Sequence, residues 1–179
     1  MDVSLAVALS VAFSTCPSAG EIRLRVERLK KTDWGHATSE GVAGSALRSL
    51  QPVAWDEKRR VVSFGWFGER RSAGARRCAE VYSFGRPETS RAAQLEEVEF
   101  SFWLEPSDNA RGVVEGLRRQ LDQPKDAEPF TEMCIDCGNE PPRTGYRWRD
   151  GPMEVELMVL VTSERVVDFR WTRKNRSPR

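Results

Sequence analysis

Histidine occurs once in this chain, at His36, which excludes catalysis built on histidine pairs and metal sites built from several histidines. Net charge is nearly absent as well: 28 basic side chains meet 27 acidic ones, for a formal charge of +1. A balance of that kind gives no overall field for drawing in nucleic acid or an anionic membrane. No apolar run approaches the roughly 20 residues that a bilayer-crossing helix needs. No nucleophile motif such as GxSxG is present. The acidic residues mostly alternate with apolar ones, as on solvated strand faces, and do not read as paired catalytic carboxylates. Cysteine is scarce, with four residues at Cys16, Cys78, Cys134 and Cys137.

What remains is the composition of a globular protein, 39% hydrophobic and 31% charged over 179 residues. That length suits one domain, able to bury roughly two thirds of its unfolded surface without needing staples. No internal repeat or low-complexity tract divides it.

The N-terminus carries a processing signal. Leu5 to Phe13 is an unbroken apolar and small-residue run of signal-peptide length, and Ser18-Ala19-Gly20 supplies small residues for cleavage. The n-region holds Asp2 and no Lys or Arg, which leaves a buried N-terminal helix as the other reading. The expected boundaries are residues 1–20 for the signal, 21–173 for one domain and 174–179 for a basic, flexible tail. A lipid anchor at Cys16 is the lesser alternative, because Phe13-Ser14-Thr15 matches a lipoprotein signal poorly. The localisation expected is periplasmic or secreted, with no transmembrane segment in the mature chain.

Period-two alternation marks most of the remainder as strand. Glu21 to Leu29 alternates Ile22, Leu24 and Val26 with Arg23, Arg25 and Glu27. Val53 to Trp55 and Arg60 to Phe67 flank a polar turn, and a further strand runs through Cys78 to Phe84. Glu96 to Glu105 puts Val98, Phe100, Phe102 and Leu104 on one face, with Glu97, Glu99, Ser101 and Trp103 on the other. Met153 to Val161 and Val166 to Thr172 alternate in the same way after an Asp150-Gly151 turn. Ser45 to Leu50 suggests one helical turn. A single long helix follows Pro106, with Ser107 or Asp108 as its cap and Val113, Val114, Leu117 and Leu121 at helical spacing. Asp122 to Gly145 shows no periodicity and reads as a long loop. The fold class expected is α+β: a largely antiparallel sheet of about six to eight strands, with one main helix packed on one face.

Candidate chemistry centres on two features. Cys134-Ile135-Asp136-Cys137 has the spacing of a redox pair or of two zinc ligands. Gly138 to Pro142 cannot continue a helix, as a redox site would require, and a zinc site would need Cys78 and His36 or an acid besides. A structural disulfide drawn from Cys78, Cys134 and Cys137 is the favoured reading. The second feature is aromatic. Trp66 and Trp171 fall on apolar strand faces as core, whereas Trp103 on a Glu-rich face and Trp148 between two arginines are candidate contacts for a sugar or a protein partner. Asp33 and His36 form a possible acid–base pair without a nucleophile. These readings favour an exported non-enzymatic module, of bacterial type, binding a protein or cell-envelope component without a cofactor. The alternative is a small redox or metal-binding protein using Cys134 and Cys137, with zinc as its cofactor.

Overall fold

The structure is a computed structural model that describes residues 16–37, 41–42, 51–56, 61–70, 76–85, 94–132, 143–162 and 165–175. The apolar run Leu5 to Phe13, the turn expected at Ser45 to Leu50, the Cys134/Cys137 pair and residues 176–179 of the tail lie outside them.

The first described element corrects the sequence reading. Residues 21–29 are helix, within α1 (Ala19–Lys30), and not a strand. Ser18 and Glu21 form a reciprocal capping box, the Ser18 side chain accepting from the Glu21 N–H and the Glu21 carboxylate accepting from the Ser18 N–H. The buried residues Ala19, Ile22, Val26 and Leu29 recur every three or four positions, a helical stripe. Ile22, Leu24 and Val26 also satisfy period two, but Leu24 points to solvent and is 60% exposed. The helix begins before the signal boundary expected at residue 20.

Eight strands follow: β1 (Gln51–Asp56), β2 (Val61–Arg70), β3 (Arg76–Gly85), β4 (Gln94–Trp103), β5 (Glu128–Glu132), β6 (Arg143–Asp150), β7 (Met153–Val161) and β8 (Val166–Asn175). Between β4 and β5 lies α2 (Ala110–Gln120). All eight strands join one sheet of order β1-β2-β3-β4-β8-β7-β6-β5, and every pairing is antiparallel. The α+β architecture is therefore as expected, with a second helix added. Among the described residues a helix followed by four strands occurs twice, and the two last strands, β4 and β8, lie side by side at the centre.

The β4–β8 register pairs Val98 with Trp171, Phe100 with Phe169 and Phe102 with Val167, so these six side chains share one face. All are buried, as is Leu104. Leu117 and Leu121 from α2 and the stripe of α1 belong to the same apolar cluster, so both helices cover this face. The helices are tied by two hydrogen bonds from the last turn of α2 to the length of α1. Lys30 donates to the Gln120 carbonyl at 3.0 Å, and the Gln120 amide donates to the Arg23 carbonyl at 2.6 Å.

Three further expectations change. The N-cap of α2 is Asn109, whose side chain accepts from the Gly112 N–H. Asp108 instead closes the preceding turn, accepting from the Glu105 N–H at 2.9 Å. The aperiodic stretch after α2 contains the edge strand β5, which pairs with β6. It has no alternating pattern because its apolar contact is one ring: Phe130 lies where a side chain at Gly145 would stand, 2.5 Å from the Cβ position. Finally, Lys174 and Asn175, expected in the tail, are the end of β8, opposite Glu154 and Met153.

Candidate functional site

The cysteine framework differs from the expected one. Cys78 is bridged to Cys16, 62 residues earlier, and not to the Cys134/Cys137 pair. The bond ties the chain just before α1 to β3. It also commits the Cys16 sulfur, so a lipid thioether cannot form there, and it removes Cys78 as a thiolate for zinc. Among the described residues no cluster of three or more His, Cys, Asp or Glu side chains is placed to hold a metal. His36 and Asp33 do meet, Nδ1 to Oδ2 at 2.6 Å, but on the open surface. The hydrogen bond with His36 holds the Asp33 carboxyl below its ordinary range.

Trp103 is not an exposed platform. It sits on the face away from the helices yet is only 5% exposed, a correction to its reading as a contact residue. The rest of that face is a ladder of paired charges. Arg147 bridges Glu154 and Glu156, Arg170 bridges Glu132, and the Thr172 hydroxyl donates to Glu97. Glu99 projects to solvent as a residue, but its carboxyl is crowded on this face. Desolvation first, then the charges of Glu97 and Asp168, raise its pKa against the pull of Arg170. Arg147 and Arg170 are here tied to carboxylates, while Glu99 stands among like charges.

Trp148 has a different setting. It is half-buried at the edge of the apolar cluster and lines a recess of about 220 Å³. The recess forms where the C-terminal ends of both helices meet β6, β7 and β8. Lys30 comes from α1, Leu121 and Asp122 from the end of α2, Trp148 and Asp150 from β6, Val155 from β7, and Trp171 and Arg173 from β8. Register explains the convergence: Trp148 pairs with Val155, Leu157 with Trp171, and Val155 with Arg173, so all point to the helix side. Asp122, in the left-handed conformation at φ 53°, ends α2 and turns its carboxylate to Lys30.

Two charge pairs close inside this wall. Lys30 donates to Asp122, and Arg173 donates to Asp150 at 3.0 Å. Two donors remain. The indole Nε1 of Trp171, a residue 3% exposed, has no hydrogen-bond partner among the described residues, and neither has Nε of Arg173. The contrast with Trp34 is instructive. Its ring lies 4.5 Å from that of Trp171, centroid to centroid, and its own Nε1 donates to the Leu29 carbonyl at 3.0 Å.

Comparison with known proteins gives no match: no family model fits the chain, and no curated sequence and no solved structure is similar to it. The site is thus described by its chemistry alone. It can hold one side-chain-sized group against indole and aliphatic walls, with Lys30, Asp122, Arg149, Asp150 and Arg173 as its charged lining. Of the sequence candidates, Trp148 is in it and Trp103 is not. Trp171 was legible only as a core residue, and Arg173 only as the last residue of the domain. The signal that links them is their i, i+2 spacing, which puts both on one face of a strand.

Proposed function

We propose that this chain is an exported, non-enzymatic module that binds a protein or cell-envelope component through the recess beside Trp148. Export is supported by the Leu5–Phe13 run and by a disulfide of the kind that persists in oxidising compartments. Among the described residues no helix is long and apolar enough to cross a membrane. The mature chain on this reading begins upstream of Cys16, since a later start would lose both the bridge and the Ser18 cap.

The observation that carries the binding reading is a recess in which the apolar walls of Leu121, Trp148, Val155 and Trp171 meet charged side chains from both helices and the sheet. Binding sites are typically apolar concavities with a few convergent polar groups, and this recess has that form. A photo-reactive aromatic residue at position 148 tests it. Irradiation of cells should give a covalent adduct with an extracytoplasmic component, while the same residue at Leu24 gives none. Equal yields at the two positions, or a product confined to the cytoplasm, would contradict the proposal.

A further inference from the structure

We infer that the recess takes the C-terminal residue of a partner peptide, its apolar side chain against Trp148 and its carboxylate beside Arg149. The inference rests on the reading of this recess as the binding site. Two of the three cations in the lining are already answered, Lys30 by Asp122 and Arg173 by Asp150. Arg149 is exposed and forms no ion pair among the described residues. Glu154, opposite it in register, is bridged to Arg147, and the adjacent Asp150 is held by Arg173. One cation is therefore left over beside the apolar walls of Leu121, Trp148 and Val155. A carboxylate on a small apolar group answers both features, whereas a bare ion or a hydrocarbon answers one.

The surroundings of the recess carry the same sign. Two further clefts share its lining, one between the helices through Lys30 and Asp122, the other beside His36 through Arg173. They add Arg23, Lys31 and Arg119 against Glu27 and Asp33, so the three linings together hold six cations and four carboxylates. The cleft on the open sheet face is reversed, with four glutamates against Arg170 and Lys174. A formal charge of +1 for the chain thus covers a positive end that attracts an anion. The C-terminal ends of both helices oppose one, each by about half a charge. Their last turns offset this with Arg28 and Lys30 in α1 and Arg118 and Arg119 in α2. A chain end sets its carboxylate and its apolar side chain on one carbon, which suits a recess of about 220 Å³ better than an acidic side chain from a neighbouring residue.

Three probes that share one ring separate the possibilities. N-acetylphenylalanine has its carboxylate at the chain end, N-acetylphenylalaninamide has none, and N-succinylphenylalaninamide carries one on the other side of the residue. The readout is the indole N–H resonance of Trp148 during titration, assigned by through-bond NMR. The acid should bind about tenfold more tightly than either amide at low salt, the effect of one charge-assisted hydrogen bond. That margin should shrink as salt is raised. Arg149→Gln, a surface replacement, should abolish the margin and leave binding of N-acetylphenylalaninamide unchanged. Equal affinities for the acid and its amide, or a margin that survives Arg149→Gln, would overturn the inference. So would binding of the succinyl compound as tightly as the acid, or failure of all three to bind. None of these outcomes touches the photo-adduct at position 148, which tests the binding reading separately.

Discussion

Arg25, Tyr82 and Glu80 are the least expected residues of the core. Each is at most 2% exposed; Arg25 projects from α1 onto Glu80 and Tyr82 of β3. Arg25 donates through Nε to the Tyr82 hydroxyl at 2.7 Å and through its terminal nitrogen to the Val42 carbonyl at 3.3 Å. The Tyr82 hydroxyl donates in turn to Glu80, and the guanidinium lies 5.2 Å from the Tyr82 ring centroid. Removing one charge takes from the other a partner 3.7 Å away. Glu80→Ala is expected to cost about 3–5 kcal/mol in denaturant unfolding, and the double replacement Arg25→Met/Glu80→Leu much less than the sum of the singles. Additive costs would mean that the two charges do not interact. Burial first, then the Glu80 charge, raises the Tyr82 pKa far above its ordinary value. The folded state therefore holds this proton more tightly than the unfolded chain does. Stability from this group is intact below about pH 10, the unfolded tyrosine value, and is lost as pH rises beyond it. In an alkaline titration, Tyr82 phenolate absorbance should appear only together with unfolding; phenolate in a protein that retains its native circular dichroism would contradict this.

At the scale of elements, β4 and β8 were readable because each pairs a fully apolar face with a polar one. Phe100→Ala or Phe102→Ala should cost about 3–5 kcal/mol through lost burial and a cavity. Glu99→Ala, on the other face, should change stability by no more than about 0.5 kcal/mol. Equal costs at Phe102 and Glu99 in denaturant melts would refute the register. What failed to be legible failed for local reasons. In α1 the residues Ile22, Leu24 and Val26 mimic a strand, and only the Ser18–Glu21 capping box and the Ile22, Val26, Leu29 stripe distinguish the helix. Ser18→Ala should cost about 1 kcal/mol, measured by thermal or denaturant unfolding, if that box holds the helix start. No measurable loss would mean that the bridge at Cys16 holds the segment without the cap. Strand β5 was hidden because one ring on Gly145, not an apolar face, docks it. The recess was half legible: Trp148 stood out between arginines, but Trp171 looked like ordinary core. Its place in the lining of the recess is a property of the assembled sheet and helices, and no spacing in the sequence encodes it.

For the whole molecule, the bridge between Cys16 and Cys78 joins the segment before α1 to the middle of the sheet. Closing a loop over a sequence separation of 62 residues contributes about 4 kcal/mol in the chain-entropy account. Reduction, or Cys78→Ser, should lower the unfolding midpoint by a corresponding amount while leaving the sheet formed. An unchanged midpoint on reduction would show that the bridge adds nothing to folding. The bridge also links the two parts of the account, since it needs an oxidising compartment and a mature chain that still contains Cys16. The most direct test of that central claim is mass spectrometry of unreduced protein recovered from the extracytoplasmic fraction of a bacterium expressing the native N-terminus. The account predicts one mature start upstream of Cys16 and a peptide containing Cys16 covalently joined to one containing Cys78. A product that begins at Gly20 or later, or a Cys16 that alkylates freely without reductant, would contradict it.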